Sequence, residues 1–177
     1  MRIKTTQDLI NKTRDYLDYI EEHYQNVLKS WRLVKDKCEH MRFMYDDFYF
    51  FTLDANIKQH DFSKLSKEEF TQYRQFFHPL YGETKNKEQF EKAWEHHKKE
   101  NGHHWQNWIL EPSQDQELYI VEMAVDWMAM GLKFGDTARE YYDENKDKIK
   151  LPEWADRFVN EIFDAVYDKH LADTEEG

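Results

Sequence analysis

A chain of 177 residues with 40% apolar and 16% aromatic content has material for one domain with a substantial core. Its formal net charge of -11 argues against nucleic acid and against an anionic membrane surface as main partners, while a small anion can still bind at a local cationic spot. A single cysteine, Cys38, excludes an intramolecular disulfide and a thiolate zinc cluster; with no signal-peptide core and no membrane-length apolar run, the sequence predicts a soluble, cytoplasmic protein.

Five glycines and three prolines leave few turn signals, and apolar residues recur at spacings of three and four, which predicts an all-α helical bundle forming one domain over residues 1–177. Thr5 with Asp8 reads as a capping box, followed by Leu9, Ile10, Leu17, Ile20, Tyr24, Val27 and Trp31 at helical spacing; residues 1–32 are expected to be scaffold without chemistry. A second helical stretch, about Trp31 to Ile57, carries His40 and an aromatic run and leads into the pair His60-Asp61. Ser66 and Glu69 form a second capping-box pattern, Pro79 and Gly82 end that helix, and Asn86 with Gln89 opens the next, placing His97 inward with Phe90, Ala93 and Trp94. Asn101-Gly102 suits a left-handed C-terminal cap, after which His103-His104 begins a short helix and can converge with His97. Pro112-Ser113 marks the start of the most apolar helix, which carries Glu122 and Asp126 four residues apart into the interior. A buried carboxylate is costly unless paired or metal-bound, so Asp126 reads as a ligand and Glu122 as its supporting partner. Thr137 with Glu140, then Pro152, open the last two helices, and residues 172–177 are expected to fray.

The stretch His60-Asp61-Phe62-Ser63-Lys64 organises these signals. Adjacent His and Asp can grip one metal ion, the second carboxylate oxygen can reach a neighbouring ion, and Lys64, one helical turn on, falls where an anionic substrate would sit. Metal-competent residues surround it: His40 before, His96-His97 and His103-His104 after, and Asp126 later.

The ordered set His40, His60-Asp61, His97, His103-His104, Asp126 resembles the HD-domain superfamily, and the stretches HDFSK, AWEHHKKENGHHW and EMAVDW are similar to an uncharacterised family of bacterial and phage proteins. The superfamily resemblance implies a helical fold and metal-dependent phosphohydrolase activity, often on nucleotides or phosphoesters. It also implies that Asp61 bridges two ions and that Lys64 faces the substrate. A minority branch, including inositol oxygenase, uses the same ligands for di-iron oxygen chemistry.

The expected function is therefore hydrolysis of a small phosphorylated substrate, with one or two divalent ions held by His40, His60, Asp61 and Asp126 and by His97, His104 and His103. Lys64 would steady the phosphoryl oxygens, and Asn101 would orient substrate or a histidine. Imidazole and carboxylate ligands suit Mn, Fe, Co, Ni or Zn. A di-iron oxygenase and a non-catalytic nucleotide- or partner-binding protein are the alternatives.

Overall fold

The computed structural model describes residues 5–107 and 114–167. Among them the chain is all α, with eight helices and no strand: α1 (Thr6–Lys37), α2 (Arg42–Tyr45), α3 (Asp47–Lys58), α4 (Phe70–Phe77), α5 (Lys87–Glu100), α6 (Gln114–Phe134), α7 (Ala138–Asn145) and α8 (Glu153–Tyr167). No helix among these residues is long and apolar enough to cross a membrane.

Helix α6 is the axis of the bundle. Ile120, Val121, Ala124, Val125 and Ala129 are fully buried, and the helix packs on α1, α3, α7 and α8. Helix α1 lies along it and belongs to two apolar clusters. Its second half, through Val27, Trp31 and Val34, joins the main core with Leu53 and Ile57 of α3 and Ile162 and Phe163 of α8. Its first half, through Tyr16, joins a smaller cluster with Tyr73 of α4 and Ala93 of α5. His23 sits on the same buried stripe between the two, seven residues after Tyr16 and four before Val27.

Both capping boxes flanking the chain, Thr5 with Asp8 and Thr137 with Glu140, form as expected, and Asn86 caps α5 by accepting from Gln89 N at 3.1 Å. Other expectations are corrected. Helix α1 passes Trp31 unbroken to Lys37, and its buried face is Tyr16, His23, Asn26 and Ser30 with the apolar residues, leaving Leu9, Ile10 and Leu17 exposed. The stretch to Ile57 is divided, because the Asp46 carboxylate caps a new helix by accepting from Phe48 N and Tyr49 N. Glu69 does not close a box on Ser66: its carboxylate is fully buried against His96 and His97, and α4 begins one residue later. Asn101 is extended rather than left-handed. Gly102 serves close approach instead, since a Cβ there would lie 2.2 Å from the Tyr119 ring. The expected start at Pro112-Ser113 and the expected frayed tail at 172–177 lie outside the described residues.

Candidate metal centre

Helix α3 ends at Lys58, and the chain turns through Asp61, the one described non-glycine residue with positive φ (58°). Left-handed backbone costs an L-residue about 1–2 kcal/mol, and aspartate is among those that tolerate it. The turn folds His60 and Asp61 inward, 7% and 6% exposed, while the 3-10 turn Phe62–Leu65 brings Lys64 back so that Nζ donates to Asp61 Oδ2.

The two Asp61 oxygens face different partners. Oδ2 lies 3.4 Å from His23 Nε2 and 3.5 Å from His60 Nε2. Asp126 Oδ1, one helix across, lies 3.2 Å and 3.4 Å from those same two nitrogens. Asp61 Oδ1 lies 3.1 Å from His97 Nε2 and 3.7 Å from His103 Nε2. Three donor groups result, His23 with His60 and Asp126, Asp61 with His97, His103 and His104, and His60 with His103 and Glu122, each with atoms within 4.8 Å of one another; the first two face the two oxygens of Asp61. At these separations a protonated imidazole can pair with a carboxylate, and the same atoms are close enough together for a cation to sit among them. Asp61 Oδ1, His103 Nε2 and His104 Nε2 are buried without a hydrogen-bond partner, so the donor set fits a bound divalent ion.

Buried carboxylates hold the far sides of the rings. Glu122 Oε1 accepts from His60 Nδ1 at 3.1 Å and lies 3.2 Å from His103 Nδ1. Glu69 Oε2 accepts from His97 Nδ1 at 2.8 Å, and its other oxygen from His96 at 2.7 Å. This is the carboxylate–histidine arrangement that fixes a tautomer and presents Nε2 to a metal. Asn101 Nδ2 donates to Ser63 Oγ at 2.8 Å and to His97 O at 2.7 Å, so it braces the histidine and does not line the cavity beside it.

The charges interlock. Burial alone would lower the His23, His60 and His97 pKa values, yet the neighbouring carboxylates raise all three. Burial would raise Asp61 and Asp126, but Lys64 and the imidazoles hold Asp61, and His23 and His60 hold Asp126, well below the usual carboxylate range. Glu122, likewise buried, is held down to about 2 by His103 and His60. His104, buried and beside two other imidazoles, is pushed down to about 2 and stays neutral.

A cavity of about 370 Å³ opens beside the cluster, lined by His23, Asp61, Lys64, His97, His103, His104 and Asp126 and walled with aromatic side chains. His60, Asp61, His97, His103, His104 and Asp126 are therefore brought together as the sequence suggested, with Lys64 alongside. His40 is not. It is exposed in the turn after α1, and the helix from His23 to Lys37 alone is about 21 Å long at the α-helical rise. The histidine of α1 that reaches the cluster is His23, and residues 1–32 are thus more than scaffold. Its sequence signal was its place on the Tyr16–Val27 stripe, masked by the charged run Glu21-Glu22 before it. Glu69 was also missed, because its spacing to Ser66 imitates a cap.

No curated protein and no solved structure matches the chain. One family model does match, over residues 12–171, a span that takes in every residue of the centre from His23 to Asp126. The chain belongs to this family of unknown function, DUF5662.

Proposed function

We propose that the protein is a metal-dependent phosphohydrolase acting on a small phosphorylated substrate, with two divalent ions held at the paired donor groups. The disposition of Asp61 carries the reading: its two oxygens are turned to two separate sets of imidazoles, as a bridging carboxylate requires, and a lysine stands at the cavity wall beside it. His23, His60 and Asp126 would hold one ion, and His97, His103 and His104 the other. This ligand order, with His23 as its first histidine, is the support for an HD-type enzyme.

Bound divalent ions at such a site supply a water that ionises near neutral pH and positive charge for phosphoryl oxygens. The chain's own residues do the rest. Lys64, cationic because Asp61 raises its pKa against the effect of burial, would be free to pair with a phosphoryl oxygen were Asp61 to hold a cation in its place. Glu69 and Glu122 keep the rings oriented, and the largely apolar wall surrounds the substrate body. Water adds to phosphorus, the ester P–O bond breaks, and the leaving oxygen takes up a proton, giving an alcohol and inorganic phosphate.

The test is metal analysis of the purified protein, then phosphate release from a phosphomonoester panel with added Mn or Fe(II). The expected result is stoichiometric transition metal and metal-dependent phosphate release, both lost in Asp61→Ala. A metal-loaded protein that consumes oxygen and releases no phosphate would replace this reading with the di-iron oxygenase one; full metal occupancy in Asp61→Ala would remove the bridge.

A further inference from the structure

Beyond the metal ligands, the cavity contains little to hold charge. Lys64 is the one lysine or arginine among the described residues that line it. The nearby ammonium groups of Lys98 and Lys133 lie outside the lining, where they bond to Glu95 and Glu22. Asp136 adds a further negative charge to the wall. A phosphoryl group at the metals and Lys64 is well matched, whereas a second or third phosphate would meet one more carboxylate and no further cation in the described lining, only the two carboxylate-paired ammonium groups over the Trp94 and Tyr19 rings.

The remaining wall is aromatic and apolar: Trp94, Trp105, Trp127, Tyr141, Phe90 and Phe134, with Met123 and Met130. Phe134 and Tyr141 remain 69% and 40% exposed, so the aromatic lining continues out to the mouth. The neutral polar groups among the described lining residues include the Gln106 carboxamide and the phenol hydroxyls of Tyr16, Tyr19, Tyr73 and Tyr141, each hydroxyl carried on an aromatic ring, a poor match for a small polyol phosphate with a hydroxyl on nearly every carbon. A volume of about 370 Å³ accommodates a ring-sized body next to a phosphoryl group.

We infer that this cavity selects an ester with a single phosphoryl group on an aromatic or otherwise apolar body, and discriminates against di- and triphosphates and against small polyol phosphates. The inference rests on the proposed metal-dependent phosphoryl site, so binding is measured apart from turnover. With the full-length, metal-loaded protein, affinities for phenylphosphonate and methylphosphonate are compared by calorimetry. Phenylphosphonate is expected to bind about tenfold or more tightly, the scale of burying one ring. Phe134→Ala and Tyr141→Ala, both at exposed positions where folding should survive, are each expected to narrow that ratio. In parallel, kcat/KM is expected to favour 1-naphthyl phosphate over glycerol 2-phosphate, and a nucleoside monophosphate over its triphosphate. Equal phosphonate affinities, an unchanged ratio in both variants, or preference for the triphosphate would overturn the inference while leaving the hydrolase reading in place. A phenyl preference without turnover would support the inference and count against the hydrolase.

Discussion

Lys64 Nζ rests on Asp61 Oδ2 at the cavity wall, so an arriving cation and the ammonium compete for one oxygen. An ammonium cannot ligate a metal, which makes Lys64 the residue that separates chemistry from binding. Lys64→Met is expected to keep metal content and fold while lowering turnover about a hundredfold or more, the scale of one lost preorganised charge partner. Unchanged turnover, measured beside metal content and melting temperature, would return Lys64 to a purely structural ion pair. His23 and His40 make a second contrast at this scale. His23→Ala should lower bound metal and His40→Ala should leave it unchanged, because one imidazole faces Asp61 and Asp126 and the other stands in solvent. The His60-Asp61-Lys64 spacing was legible because it is local. The choice between His23 and His40 was not, since it depends on where α1 crosses α6, and that is fixed by apolar packing at Val27, Trp31 and Val34 rather than by distance along the chain.

His60 and His97 are each carried by one element and steadied by another. Glu122 on α6 holds His60 from the end of α3, and Glu69 just before α4 holds His97 on α5. Replacing such a carboxylate typically costs ten- to a hundredfold in metal affinity. Glu122→Gln keeps the shape and one acceptor but loses the charge, so metal affinity should fall by about that factor with the helical content intact; an unchanged affinity by competition with a chelator would reduce Glu122 to a packing role. The turn after α5 gives a harsher case. In Gly102→Ala the new methyl meets the Tyr119 ring, and overpacking of this kind costs about 1–3 kcal/mol. Since the turn carries His103 and His104, melting temperature and metal occupancy should fall together. The element pattern of the sequence already showed Asp126 and Glu122 on one buried face of α6, because a carboxylate inside an apolar helix stands out. Glu69 did not stand out, because a Ser-x-x-Glu spacing at a helix start serves a cap and a buried ligand support equally well until tertiary structure decides where the carboxylate turns.

At the scale of the whole molecule, the centre lies where α1 passes from one apolar cluster to the other, so a cation bound there would tie α1, α5, α6 and the α3–α4 connection together. Without a cation, protons do part of that work. His23, His60 and His97 have folded pKa values raised above the ordinary imidazole value of about 6.5. Their contribution to stability is fully present below that value and is lost as the pH rises through the raised folded values. Asp61, Asp126, Glu69 and Glu122 are depressed, so theirs is present above about pH 4 and is lost as the pH falls through their folded values. Metal ligation requires the imidazoles to be neutral, so a bound ion displaces protons and binds more tightly as the pH rises. Free metal at a hundred times its dissociation constant adds about 2.7 kcal/mol, roughly 5–11 °C in melting temperature for a chain of this size. The difference in melting temperature between metal-loaded and chelator-treated protein should therefore widen from pH 6 to pH 8, as the metal-free form loses its proton-held contacts and the loaded form keeps its ligands. Calorimetric titration in buffers of different ionisation enthalpy should show proton release on metal binding at the lower pH. A melting difference that is constant across that range, with no proton release, would mean that the imidazoles are already neutral in the metal-free protein and that the carboxylates are held by Lys64 alone.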